Sequence, residues 1–102
     1  MGKCRITVLK RTLNKDIAEQ YAVNGENISP CDLLADNQEF IFDGYNYPEG
    51  FCSWAWADIQ RDAALLANAD ANPYWLNQKG TTITCCTDGF RPVIFKIERI
   101  EE

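Results

Sequence analysis

The residues of this sequence best suited to chemistry are its five cysteines, and the residue type that it lacks is histidine. A thiolate can act as a nucleophile, a redox centre or a metal ligand. The absence of histidine excludes Ser-His-Asp and Cys-His catalysis within one chain, and any site that needs an imidazole ligand. If this chain does chemistry, we therefore expect it at the cysteines.

Cys31 lies in a segment that is typical of a helix start. In the run Ser29-Pro30-Cys31-Asp32, the serine is a suitable N-cap, proline favours the first helical position and the acid completes a capping box. The cysteine would then lie in the first turn, where the helix dipole stabilises a thiolate. In the alternative interpretation it is a small residue packed in a tight turn.

Cys52 lies just before or at the start of the longest predicted helix, which runs over residues 53–68. Ser53 is the expected N-cap, and Gly50 allows the backbone to approach another group closely. The helix start again favours a reactive thiol. Because the angular position of Cys52 falls on the apolar side of the helix, packing in the core is the alternative.

Cys85 and Cys86 are adjacent in a predicted C-terminal hairpin, so on a regular strand their side chains point to opposite faces. A three-residue loop over 87–89 would pair Ile83 with Val93 and collect the apolar residues on one face. This register puts Cys85 in the core and Cys86 outside, unless a bulge brings both sulfurs together. Cys4 lies on the apolar face of the first strand and is expected to be core.

None of the cysteine spacings is a zinc pattern, because no C-x-x-C is present. A metal-binding or thiol redox site would have to be assembled in space from Cys31, Cys52, Cys85 and Cys86. Asp88 and Arg91 are candidate supporting residues, since the arginine can bind an anion or pair with the nearby acid. No nucleotide or haem motif is present, so a thiolate-bound metal is the cofactor to test.

These residues must be positioned by one small α+β domain spanning the 102 residues. The alternation of apolar and polar residues predicts strands over 4–11 and 38–43, and a short helix is expected after Asn14. A hairpin spans about 82–100. We expect a small mixed or antiparallel sheet with the long helix packed on one face.

Three large residues do not fit this core. Trp54 and Leu65 fall opposite the apolar side of the long helix, and Trp75 lies in the loop that follows it. Exposed apolar side chains of this kind indicate a contact surface. The alternative to a thiol site is therefore a non-catalytic interaction or homo-oligomerisation module whose cysteines are mainly core.

The net charge of −5 disfavours nucleic acid as a partner, because phosphate backbones are bound mainly by Lys and Arg. No stretch reaches the ~20 apolar residues of a membrane helix. The first residues run directly into a strand pattern, so we expect no signal peptide, a cytoplasmic location and reduced cysteines.

Two long motifs resemble those of a family of short conserved hypothetical proteins from bacteria and archaea. The motifs are PEGFCSWAWADI, over residues 48–59, and CCTDGFRPVIF, over residues 85–95. The family has no assigned activity, so the resemblance implies no catalytic residues. Its pattern includes cysteines matching Cys31, Cys52, Cys85 and Cys86 but not Cys4. Proline usually follows the first of these, and Asp32 departs from that pattern.

Overall fold

A computed structural model describes residues 2–68 and 71–100 and confirms the α+β prediction. The described elements are β1 (Lys3–Arg11), α1 (Lys15–Tyr21), a 3-10 turn (Gly25–Asn27), β2 (Glu39–Phe42), α2 (Ser53–Asn68), β3 (Thr81–Cys85) and β4 (Val93–Ile100). The four strands form one antiparallel sheet in the order β2-β1-β4-β3. In the described part of the chain, no helix is long and apolar enough to cross a membrane.

The core lies between the sheet and one face of α2. Side chains alternate between the two faces of β1, and the inward-facing Cys4, Ile6 and Val8 are completely buried, as the sequence predicts. From the helix, Ile59 and Leu66 pack against the same face, and small alanines between them keep the helix backbone close to the strands. Strands β1 and β4 are the central strands of the sheet, and β2 and β3 lie at its edges.

The hairpin register differs from the predicted one. Ile83 pairs with Lys96 rather than with Val93, and Cys85 pairs with Ile94. The backbone N–H of Cys86 donates to the carbonyl of Val93 at 3.1 Å, so the connecting loop spans residues 87–92 instead of 87–89.

This shift inverts the two faces of β3, because a displacement by an odd number of residues moves every side chain to the other side of a sheet. Cys86 is buried and Cys85 is exposed, the reverse of the prediction. The buried Thr82 lies opposite Ile97, and Ile83 is half-exposed. Burial of threonine rather than isoleucine shows that the hydrophobic pattern did not decide the register.

The helix predicted to start at Ser29 is absent, and residues 29–37 form an irregular segment. Tertiary contacts outweigh the local capping pattern here. The guanidinium of Arg11 donates to the carbonyl of Cys31 at 2.9 Å, and Leu34 is buried in the core. The N–H of Asn37, which has a left-handed φ of 67°, donates to the carbonyl of Val8 at 2.8 Å. These bonds hold the segment across the end of β1 in a path that a helix could not follow.

Candidate functional site

Three of the four predicted site cysteines line one cleft of about 680 Å³. Its walls are the irregular segment at residues 31–34, the first turn of α2, and the hairpin loop from Cys86 to Val93. Its volume is in the range of small-molecule sites. The cysteines that line it are Cys31, Cys52 and Cys86.

Cys52 occupies the N-cap position of α2, one residue earlier than the predicted cap. Its carbonyl accepts the N–H of Trp56 at 2.9 Å, and the helix begins at Ser53. Gly50 precedes it with a φ of 79°, a conformation that favours glycine and lets the chain turn into the helix. The side chain is half-buried against the core, so it is both held in place and open to the cleft.

Cys31 approaches the same cleft from the irregular segment. Arg11 holds its backbone carbonyl and also pairs with Asp36, with 3.0 Å between the guanidinium Nε and the carboxylate. Like Cys52, Cys31 is half-buried and packs against the core. Because no helix begins here, the predicted helix-start environment applies to Cys52 alone.

Cys86 forms the inner wall of the cleft and is only 8% exposed. Its Sγ accepts the N–H of Val93 at 3.4 Å, while its own N–H donates to the carbonyl of the same residue. These two bonds fix the thiol at the end of the hairpin ladder. It is the least accessible of the three cleft thiols.

Asp88 organises the hairpin loop. Its Oδ1 accepts the backbone N–H groups of Phe90 and Arg91 at 3.0 and 3.1 Å, and its Oδ2 accepts Nε of the Arg91 side chain at 3.2 Å. Partial burial alone would raise the pKa of Asp88. The two backbone hydrogen bonds and the positive charge of Arg91 outweigh burial and lower that pKa below its usual value.

Two further residues, which sequence reasoning did not assign to the site, attach this loop to the rest of the fold. The carboxylate of Asp58 in α2 accepts the N–H and the hydroxyl of Thr87 at 2.9 and 3.0 Å. Asn14, the predicted cap of α1, donates its side-chain amide to the carbonyl of Gly89 at 2.7 Å. No local pattern signals either contact, because each joins residues that are far apart in sequence.

The other two cysteines lie outside the cleft. Cys85 is exposed and does not line it. Cys4 is fully buried beneath α2, where its Sγ lies 3.8 Å from the carbonyl oxygen of Ala63. Burial raises the pKa of Cys4 to about 11, against a smaller lowering by the charge of Arg99.

The cleft does not have the donor set of a metal centre. Among the residues that the structure describes, no group of three or more Cys, Asp or Glu side chains is placed to hold a metal ion. A closed thiolate metal site normally needs four such ligands. The described residues therefore give no support to a bound metal.

The three residues of the predicted interaction surface do not lie together. Trp54 is exposed at the cleft, at the start of α2. Leu65 and Trp75 line a separate shallow groove of about 110 Å³ near the other end of that helix. The groove and the cleft are therefore distinct features.

Comparisons of the chain with protein-family models, with curated proteins and with solved structures found no match. The resemblance of the two motifs to a family of short hypothetical proteins stays a prediction. Function is accordingly inferred from the geometry of the cleft itself.

We predict that Cys4 makes stability depend on alkaline pH. Its pKa is about 11 in the folded protein and near 9.0 in an exposed thiol. The unfolded chain therefore loses this proton first as the pH rises, which favours unfolding. The contribution of the protonated Cys4 thiol to the stability of the fold is complete below pH 9 and is lost as the pH rises toward 11.

The measurement is urea unfolding at pH 8 and pH 10.5, comparing the parent with Cys4→Ser. We expect the free energy of unfolding to fall by about 1–2 kcal/mol more in the parent than in the variant between these pH values. Equal losses in the two proteins would contradict the prediction. As a second readout, the thiol of Cys4 should react with a thiol reagent only after unfolding.

We predict that Asp88→Ala destabilises the protein at pH 7 by about 1–2 kcal/mol, because it leaves loop N–H groups without their acceptor. The pKa of Asp88 is lowered by folding, so its stabilising contribution is present above the ordinary carboxyl range and is lost as the pH falls below it. The difference in the free energy of unfolding between parent and variant, measured by urea unfolding, should therefore be far larger at pH 7 than at pH 3. Glu49→Ala, which removes an exposed acid, is the matched control.

Proposed function

We propose that the cleft is a cysteine-based site that exchanges thiols and disulfides with small sulfur compounds. The observation that supports this function is the presence of Cys31, Cys52 and Cys86 in one cleft of small-molecule size. All five cysteines are free thiols. A reducing compartment such as the cytoplasm would keep them so.

Cys52 is the proposed nucleophile. It caps a helix of 16 residues, and the unpaired N–H groups of the first turn together with the helix dipole stabilise negative charge. Thiolate is the reactive form of cysteine. Cys31 is the proposed second thiol, because it is half-buried in the same cleft, whereas Cys86 is buried and bonded to the hairpin backbone.

The reaction consists of two exchanges. The thiolate of Cys52 attacks one sulfur of a small disulfide, a new S–S bond forms, and the other half leaves as a thiolate that takes a proton from water. The thiolate of Cys31 then attacks Cys52 and releases the second half of the molecule. Two protein thiols are oxidised to one disulfide, and one substrate disulfide is reduced to two thiols.

Metal binding through the same cysteines, the other form of a thiol site, receives less support. The described residues contain no set of three metal-ligating side chains. Exchange chemistry needs only two accessible sulfurs, so it is the form that this cleft fits better.

The function is tested with bis(hydroxyethyl) disulfide and intact-mass spectrometry in a Cys85→Ser background, which removes the exposed thiol outside the cleft. We expect a mixed disulfide to form on Cys52 at least about tenfold faster than on the same thiol in the urea-unfolded chain, because helix-start thiols are activated. The product should then lose the small thiol and become an intramolecular disulfide. Peptide mapping assigns both bonds.

In this test, Cys52→Ser should abolish the first exchange. Cys31→Ser should stop the reaction at the mixed disulfide. Cys4→Ser is the matched control and should change neither step, because Cys4 is buried outside the cleft. A folded protein whose cleft thiols react no faster than those of the unfolded chain would refute the proposed function.

A second candidate function is a protein-interaction or homo-oligomerisation module. It is favoured by the exposure of Tyr74 and Trp75, which are 92% and 69% exposed and contact each other edge to face with ring centroids 5.1 Å apart. Leu65 lines the same groove as Trp75, and it is half-exposed. Exposed aromatic residues that lie together are typical of contact surfaces.

For this second candidate, we predict that the protein forms a homodimer that Trp75→Ser weakens at least about tenfold, as expected for an aromatic interface anchor. Sedimentation equilibrium over a concentration series measures the change. Tyr21→Ser, which alters an equally exposed aromatic residue on α1, is the control. A parent protein that is monomeric at every concentration would rule out the homo-oligomer.

A further inference from the structure

We propose that the cleft selects small disulfides that carry a carboxylate, and that Arg91 binds this carboxylate. This inference rests on the proposed thiol function and names its substrate class. Its basis is the way in which the hairpin loop holds the arginine beside the three cleft cysteines.

The guanidinium of Arg91 has a defined orientation. Its Nε donates to Oδ2 of Asp88, and that carboxylate is itself held by two backbone N–H groups of the loop. Among residues 2–68 and 71–100, the two terminal nitrogens of this guanidinium have no hydrogen-bond partner. Arg91 lines the cleft and its side chain is 41% exposed. A planar pair of N–H donors fits the two oxygens of a carboxylate.

If the cleft binds an anion, Arg91 is the residue that holds it. Arg91 is the one cationic residue among the described residues that line the cleft. Of the two acids there, Asp88 already accepts three hydrogen bonds, and Asp32 lies exposed in the irregular segment. The chain as a whole has a net charge of −5, so its overall field repels anions. A preference for a carboxylate would therefore have to come from Arg91.

Most of the cleft wall is apolar and would contact the carbon chain of the substrate. Leu33, Leu34, Trp54 and Phe90 contribute to it. Small-molecule sites commonly combine such a wall with a few polar groups that orient the ligand. Here the polar group is Arg91 and the reacting atoms are sulfurs, so the ligand that fits is a short carboxylate-bearing disulfide.

The test compares three small disulfides of different charge: dithiodipropionate, bis(hydroxyethyl) disulfide and cystamine. Mixed-disulfide formation on Cys52 is measured in the Cys85→Ser background, and each rate is divided by the rate for the urea-unfolded chain. This division removes the intrinsic reactivity of each reagent. We expect the corrected rate to be highest for dithiodipropionate, about tenfold above the neutral disulfide, as for a charge-assisted hydrogen bond.

Arg91→Gln should reduce the ratio of the dithiodipropionate rate to the neutral rate to one or below. Arg91→Lys should leave an intermediate ratio, because it keeps the charge and loses the planar pair of donors. Arg61→Gln removes the same charge from the exposed side of α2 and should leave the ratio unchanged. Circular dichroism verifies that each variant is folded.

Two results would overturn the inference while leaving the thiol function intact. One is a corrected rate for dithiodipropionate that does not exceed the neutral rate. The other is a preference that falls equally in the Arg91→Gln and Arg61→Gln variants, which would indicate overall charge. Failure of all three disulfides to react faster with the folded than with the unfolded protein would instead refute the thiol function, so the two failures are distinguishable.

Discussion

The carboxylate of Asp88 forms the hydrogen bonds on which the arrangement of the cleft depends. By accepting two backbone N–H groups of its own loop, it stabilises a hairpin connection over residues 87–92. A connection of that length sets the pairing of β3 with β4, and the pairing decides that Cys86 faces inward. The same carboxylate orients the guanidinium of Arg91. One buried thiol and one oriented cation in the cleft therefore depend on a single acid.

The loop can have this role because the rest of the fold holds it at two points. Asp58 attaches it to α2 through Thr87, and Asn14 attaches it to the start of α1 through Gly89. Helix α2 is itself fixed on the sheet by a buried face rich in alanine. Its first turn, which carries Cys52, is thereby brought to the same cleft as the hairpin loop.

The chemistry available in the cleft follows from what surrounds the sulfurs. The chain contains no histidine, so no imidazole can accept a proton from a thiol. Among the cleft cysteines, Cys52 is the one that lies at the start of a helix, a position that in general favours a reactive thiol. Apolar side chains and Arg91 also line the cleft. This combination is consistent with exchange at sulfur.

The sequence by itself determined the features that depend on local periodicity and composition. Alternation in β1 identified its buried face, including Cys4, and the helical repeat identified residues 53–68 with their core side. The lack of histidine excluded whole classes of catalysis. Each of these depends on residues close together in the chain or on residue types alone.

Only the tertiary structure decided which cysteines lie together. The capping pattern before Cys31 predicted a helix, but the bond from Arg11 and the burial of Leu34 hold that segment in an irregular path. The apolar pattern of the hairpin predicted Cys85 in the core, but the Asp88 loop placed Cys86 there. In the first case, a hydrogen bond and the burial of Leu34 outweighed a capping preference of about 1 kcal/mol. In the second, the observed register leaves Ile83 half-exposed. The bond from Arg11 joins residues 20 apart and has no local sequence signal. The Asp88 bonds are local, but the loop length that goes with them became visible only in the folded structure.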